Sequence, residues 1–136
     1  ALNGGRPLTP RSVTALADDD LRGAGLSRAK LAAIRDLAAK ADQVPGWAAL
    51  DKLDDAAILE RFTQVRGIGP WTVEMLLIFR LGRPDVWPVD DFAVRKAYGL
   101  LFGIADPKPK EMRERAEAWR PWRTLAAWYL WRSLEG

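Results

Sequence analysis

Val65-Arg66-Gly67-Ile68-Gly69-Pro70-Trp71-Thr72-Val73 is the stretch on which the fold turns. Apolar residues Ile58, Leu59 and Phe62 lead up to it, and Val73, Leu76, Leu77 and Leu81 lead away. Their spacing predicts two amphipathic helices joined at Gly-Ile-Gly. Glycine lacks Cβ, so it accepts positive φ and lets the backbone press against something flat or charged. Pro70 suits the first turn of the second helix, where its missing N–H costs nothing. The helix N-terminus then offers free amides beside bare backbone, which suits an anion and above all a nucleic-acid phosphate. A plain αα corner would use the same glycines. Ile68 argues for a hairpin pinned to a core, because a solvated corner favours Asn, Asp or Ser there.

Working outward toward the N-terminus, Asp54 caps the helix that enters the hairpin, and Pro45-Gly46 breaks the chain before it. Ser27 caps a helix reaching Ala41, with Leu31, Ile34, Leu37 and Ala38 on one face. Asp18-Asp19-Asp20 opens a short turn closed by Gly23 and Gly25, and Thr9-Pro10 starts a short helix to about Leu16. Residues 1–8 lack periodicity and read as a loop or a cut end. Leu21-Arg22-Gly23-Ala24-Gly25-Leu26-Ser27 faintly repeats the helix–glycine–helix plan, with nothing chemical attached.

Toward the C-terminus, the helix after the hairpin runs to about Leu81 and ends at Gly82-Arg83-Pro84. Asp85-Val86-Trp87-Pro88-Val89 reads as an extended linker, and a helix from Asp90 or Asp91 reaches Phe102. Pro107 and Pro109 mark a loop, and helices over about 110–119 and 121–134 complete the chain. No segment alternates with period two, so the expected class is all-α, a bundle of many short helices.

At 136 residues the length fits one compact domain. No apolar run is long enough to span a bilayer, and no signal-peptide pattern opens the chain. With no cysteine there is no disulfide, thiolate zinc site or iron–sulfur cluster. With no histidine the commonest general base and transition-metal ligand are missing, leaving carboxylates, lysine, hydroxyls and backbone for any chemistry. Residues 1–60 hold eight Lys/Arg against nine Asp/Glu, whereas residues 61–136 hold thirteen against nine. The basic excess lies in the half with the hairpin, as a phosphate-facing surface requires.

Trp87-Pro88-Val89-Asp90-Asp91-Phe92 is the second informative segment. Proline imposes an extended approach, and two acids then stand where a helix begins. One suffices as an N-cap; its neighbour points about 100° away and is available for something else. A carboxylate at a helix N-terminus is favoured in its charged form, which suits stabilising a cation or activating water. Seven tryptophans in so short a chain are mostly expected in the core, but Trp71, just past the hairpin, is placed to stack on an extruded base.

Together, Arg66-Gly67-Ile68-Gly69-Pro70 and Pro88-Val89-Asp90-Asp91 resemble the helix-hairpin-helix DNA glycosylase superfamily. Gly67-Ile68-Gly69-Pro70-Trp71-Thr72, Asp90-Asp91-Phe92 and Ala118-Trp119-Arg120-Pro121-Trp122-Arg123 most resemble its 3-methyladenine DNA glycosylase II (AlkA-like) branch. The resemblance implies an HhH-GPD fold in which residues 1–136 form the C-terminal portion, without the N-terminal helices that carry the duplex wedge. The hairpin would fall at about 62–73 and the catalytic segment at about 87–95.

The resemblance makes Asp91 the catalytic acid, with Asp90 as support and fallback. Trp71, Met75 and Trp131 match residues of the base pocket, and Arg66, Gly67, Ile68, Gly69 and Thr72 match the DNA-binding hairpin. The backbone carbonyls of Thr63, Val65 and Ile68 match those that hold Na+ or K+; no other cofactor is implied. Trp71 stands where strand-cleaving relatives carry a lysine, which implies monofunctional hydrolysis. The implied activity is base-excision repair: release of alkylated purines such as 3-methyladenine from double-stranded DNA. Partners are damaged duplex and a missing N-terminal segment or second chain, with no membrane. The setting is the bacterial cytoplasm and nucleoid or a eukaryotic nucleus. Alternatives are a non-catalytic helix-hairpin-helix DNA-binding module, an inactive glycosylase fragment, or an all-α interaction domain unrelated to DNA.

Overall fold

The computed structural model describes Gly5 and residues 7–135. Among these residues the regular structure is all helix: α1 Pro10–Ala15, α2 Asp18–Gly23, α3 Arg28–Ala39, α4 Trp47–Leu50, α5 Asp55–Thr63, α6 Pro70–Met75, α7 Phe92–Phe102, α8 Pro109–Ala116 and α9 Arg123–Ser133. A π turn, Leu76–Arg80, extends α6, and a 3-10 turn, Glu117–Trp119, extends α8. The all-α expectation holds. The expected loop over 1–8 lies largely outside the described residues, as does Gly136. Pro45-Gly46 does more than break the chain, since Gly46 is the N-cap of the single-turn α4. No helix among the described residues is long and apolar enough to cross a membrane.

The chain divides into two compact units, Ala1–Val73 and Glu74–Gly136. In the first, α1 and α2 pack on α3. Thr9 caps α1 through a reciprocal box with Ser12, at 3.1 Å and 2.8 Å. Arg35 of α3 then closes the far end. Its guanidinium donates to the carbonyls of Val13 and Leu16 and to Asp18 Oδ1, the last at 2.6 Å. Carbonyls that α1 leaves open at its C-terminus are thereby satisfied from outside the helix. The expected apolar face of α3 is only partly covered: Leu31 is buried, Ile34 and Ala38 are half-buried, and Leu37 is exposed.

In the second unit the segment expected to be a linker is core. Val86, Trp87, Pro88 and Val89 are all buried. An extended backbone buried this way needs hydrogen-bond partners; Val89 finds one within the segment, in the Trp87 carbonyl, and Val86 finds one on α9. Thr124 Oγ1 accepts from the Val86 N–H at 2.9 Å and donates to the Arg83 carbonyl at 2.7 Å. Arg123 donates to Asp85 Oδ1 at 2.6 Å, and Arg120 to Asp85 Oδ2 at 2.7 Å. Burial pushes the Asp85 carboxyl up, but the Arg123 hydrogen bond and charge, helped by Arg120, hold it below the ordinary range. The Arg120-Pro121-Trp122-Arg123 run thus has a structural task.

Trp87 lies edge-on to Trp119 at 5.1 Å and donates its indole N–H to the Met112 carbonyl at 3.2 Å. Around it pack Val94, Ala97 and Tyr98 of α7, Met112 and Ala116 of α8, and Ala127 and Leu130 of α9. At Gly99 on α7 a Cβ would stand 2.6 Å from the Ile104 carbonyl oxygen, so the chain leaving α7 folds back against a position that only glycine allows. This core fixes the head of α7 against α9, where the site forms.

Candidate active site and hairpin

In the first unit the hairpin is braced by α3. The Arg66 N–H donates to Asp36 Oδ2 at 2.7 Å, and the Lys40 ammonium donates to the same oxygen at 2.8 Å and to the Gln64 carbonyl at 2.7 Å. The Lys40 hydrogen bond, then that of the Arg66 amide, holds the Asp36 carboxyl below its usual range. The Arg66 amide, which precedes the helix that follows the hairpin, is therefore engaged within the protein. The Arg66 side chain, Gly67 and Thr72 are exposed, and Ile68 and Gly69 are half-buried. Asp36 and Lys40 were legible only as an i,i+4 ion pair; nothing in the sequence tied them to the hairpin.

The two glycines differ. Gly67 has φ +83°, and a Cβ there would lie 3.0 Å from Ala33 Cβ. Gly69 has an ordinary φ and open space around its missing Cβ. Positive φ is thus required at Gly67 alone. The Ile68 N–H donates to the Val65 carbonyl at 3.0 Å, closing the turn, and Val65 is buried. That carbonyl keeps a second lone pair. Neutral oxygens such as those of Thr63, Val65 and Ile68 suit a hard monovalent cation. Among the described residues, no cluster of acids offers a metal site. Trp71, in the first turn of α6, is 47% exposed.

In the second unit Asp91 is the N-cap of α7, its Oδ1 accepting from the Val94 N–H at 2.8 Å. The same oxygen accepts from Trp131 Nε1–H at 3.0 Å. Asp91 is only 9% exposed, whereas Asp90 is open to solvent. Of the two acids, the one that caps the helix is Asp91, which the resemblance makes catalytic, and Asp90 is the one left open. A cavity of about 450 Å3 is lined by Met75, Phe79, Asp91, Ala93, Trp128, Trp131, Leu134 and Glu135. Three predicted residues, Met75, Asp91 and Trp131, thus share one cavity.

Phe79 and Trp128 were not foreseen there. Phe79 stacks on Trp131 at 5.5 Å and 25°, and Trp128 stands edge-on to both, at 5.4 Å and 5.7 Å. Helical spacing was the available signal, since Phe79 follows Met75 by four and Trp128 precedes Trp131 by three. The π turn that carries Phe79 was not legible; such turns often mark functional sites. The tryptophans divide as well. Trp87 is buried, Trp119 and Trp131 are half-buried, and Trp47, Trp71, Trp122 and Trp128 are exposed.

Glu74, which no motif marked, carries a buried Oε2 with no hydrogen-bond partner. Burial, reinforced by the negative charges of Asp90 and Asp91 and opposed by Arg113, raises its pKa to about 7.

A glycine hairpin between two helices, followed by a buried acid at the head of a later helix beside an aromatic cavity, defines a helix-hairpin-helix protein with a carboxylate site. The family model of the HhH-GPD superfamily of base excision DNA repair proteins matches residues 5–121, and the chain belongs to that family. It is 36% identical over 134 residues to DNA-3-methyladenine glycosylase 1 of Schizosaccharomyces pombe, covering 96% of this chain and 59% of that protein. The alkylbase DNA glycosidase-like protein mag2 of the same organism is 32% identical over 90% of this chain and 59% of its own length. In structure the chain matches the S. pombe 3-methyladenine DNA glycosylase solved in complex with abasic DNA, with TM-score 0.83 and 35% identity over 100% of this chain and 67% of that one. The chain thus spans about 59% of the length of these curated relatives.

Proposed function

We propose that this chain carries the catalytic part of a monofunctional DNA glycosylase of base-excision repair, of the 3-methyladenine DNA glycosylase II type, which hydrolyses the N-glycosidic bond of N-alkylated purines such as 3-methyladenine. The observation that carries the proposal is the Asp91 carboxylate, buried in the wall of an aromatic cavity and bonded to the Trp131 indole. An N-alkylated purine is already cationic, so its bond to the sugar is weakened and departure needs no strong acid. What the reaction needs is an extruded base held against aromatic faces, which attract an electron-poor ring, and a negative charge near the oxocarbenium-like sugar. Trp131, Trp128 and Phe79 supply the faces, with Met75 beside them; Trp71 is a further candidate. Asp91 supplies the charge and orients water.

Duplex DNA would be gripped by the hairpin through Arg66, Gly67, Ile68, Gly69 and Thr72, with the carbonyls of Thr63, Val65 and Ile68 holding Na+ or K+ toward a phosphate. The names of the related proteins, 3-methyladenine glycosylases among them, support this substrate class. No lysine stands at position 71, 72 or 73 to form a Schiff base, which supports hydrolysis without strand cleavage.

The test is release of methylated purine from alkylated duplex DNA. Wild-type chain should release base without nicking the strand, and Asp91→Asn should bind the duplex but release at least about 100-fold less. The two bonds on Asp91 Oδ1 are also those of a purely structural cap, so binding without release by the wild-type chain would establish the DNA-binding module instead.

A further inference from the structure

Ala33, Asp36 and Lys40 stand three and four residues apart along α3, so they share one face of it. That face meets the hairpin at successive points. The Lys40 ammonium donates at 2.7 Å to the carbonyl of Gln64, the C-cap of α5, where a helix end favours a cation. Asp36 Oδ2 accepts from the Arg66 N–H at 2.7 Å and from Lys40 at 2.8 Å. Ala33 Cβ lies 3.0 Å from where a Cβ on Gly67 would stand, so the turn presses close against α3. Electrostatics alone gives no reason for an acid here. A hairpin that meets a phosphate gains from cations nearby and loses from a carboxylate. Lys40 offsets that charge, but its ammonium is engaged with the protein at two points. What Asp36 does supply is an acceptor for a backbone amide, two residues past the carbonyl that Lys40 anchors.

We propose that Asp36 and Lys40 are positioning residues for the hairpin's grip on DNA: the pair fixes the backbone from Gln64 to Arg66, so that Arg66 and Gly67 meet the duplex already ordered. A loop ordered beforehand spares the binding step the entropy of fixing it. Both side chains act through the backbone groups they hold, and neither needs to touch a phosphate. The link to DNA rests on the reading of the hairpin as a duplex contact; the brace itself does not.

Asp36→Ala separates positioning from charge, because the two predict opposite signs. Removing an acid and releasing a cation should tighten duplex binding by electrostatics alone. Losing the brace should instead weaken it roughly fivefold to thirtyfold, the entropy of refixing the backbone of about one residue. Anisotropy titration of a short DNA duplex with the folded variant reads the sign, and equal or tighter binding overturns the proposal. Lys40→Met decides should Asp36→Ala fail to fold. Its affinity should fall over the same range, with the slope of log affinity against log salt unchanged. A slope shallower by about 0.9 would make Lys40 a phosphate contact and overturn its positioning role. A lower Tm with wild-type affinity in the folded variants would also overturn it, leaving the pair merely structural. Amide exchange tests the brace without DNA: the Arg66 N–H should exchange at least about tenfold faster in Asp36→Ala, and an unchanged rate overturns it. Faster exchange in that variant, in a protein whose wild type binds no duplex, would uphold the brace and sink the DNA-binding reading instead.

Discussion

The hairpin glycines give a sharp test, because the structure assigns them unlike tasks. Alanine at position 67 meets two penalties. The φ of +83° is a left-handed conformation that costs an L-residue about 1–2 kcal/mol. The new Cβ also lies 3.0 Å from Ala33 Cβ, so α3 or the hairpin must yield slightly. Together these destabilise by about 1–3 kcal/mol. An unfolding entropy of about 2.1 cal/mol/K per residue over 136 residues converts this to a fall in Tm of about 4–10 °C. Alanine at position 69 meets neither penalty, since φ is ordinary and nothing lies within 4 Å of the added Cβ. Its weaker capping before Pro70 is offset by the lower entropy of its unfolded chain, leaving Tm within about 2 °C. Gly69→Ala should nevertheless weaken duplex binding, because its methyl group stands in the open space a phosphate would enter. Thermal denaturation followed by circular dichroism, with anisotropy titrations on a short duplex, measures both effects. Equal losses of Tm would refute the conformational argument, and unchanged binding by a folded Gly69→Ala would refute the bare-backbone contact.

Asp91 separates cap from charge: Asp91→Ala should lose about 1–3 kcal/mol by chemical denaturation, since the Val94 amide and the Trp131 indole lose an acceptor, whereas Asp91→Asn, an equally good cap, should stay within about 0.5 kcal/mol and yet show the roughly 100-fold loss of base release given above. Thr124→Val keeps the shape but orphans the buried Val86 N–H, and should cost about 1–3 kcal/mol in urea unfolding with no direct effect on duplex binding. The raised pKa of Glu74 means that the folded state binds its proton more tightly than the unfolded chain, so stability should fall as pH rises from about 4.5 to 7 and then level off. Tm measured against pH should show this decline in wild type and not in Glu74→Gln. The carboxyls of Asp85, Asp106 and Glu117, held low in the folded state, contribute stability present above their unfolded pKa and lost only at more acidic pH.

Much of the architecture was legible because its signals are local. Thr9, Ser27 and Asp54 cap helices as read, their oxygens accepting from Ser12, Lys30 and Ala57. Caps and glycines act within a few residues of themselves, so sequence is enough. The linker over 85–89 was misread for the complementary reason. Extended, proline-bearing chain looks the same whether solvated or buried, and what buries it is α9, nearly forty residues on by the separation of Val86 and Thr124. The cavity was half legible. Met75 and Trp131 came from the resemblance, while for Phe79 and Trp128 helical spacing offered a signal but not the packing of α9 against the π turn that brings them together. Glu74 left no trace, because an acid on a helix reads as solvated unless its surroundings are known.

The acids of the second unit show how one short segment meets two demands. A buried carboxylate is costly unless donors surround it, and the head of a helix is where unpaired amides already wait. Placing Asp91 at the cap of α7 therefore satisfies the helix and the acid at once, while the indole of Trp131 ties that acid to an aromatic wall. Both donors stabilise negative charge and neither supplies a transferable proton, as the proposed reaction, with its cationic leaving base, would require. Asp90, one residue earlier, lies outside this arrangement and is solvated. Glu74 receives neither amide nor indole, and the same neighbourhood that keeps Asp91 supplied with donors pushes Glu74 toward its neutral form. Three carboxyls in one neighbourhood thus differ in their supply of donors, and that difference follows from which of them begins a helix.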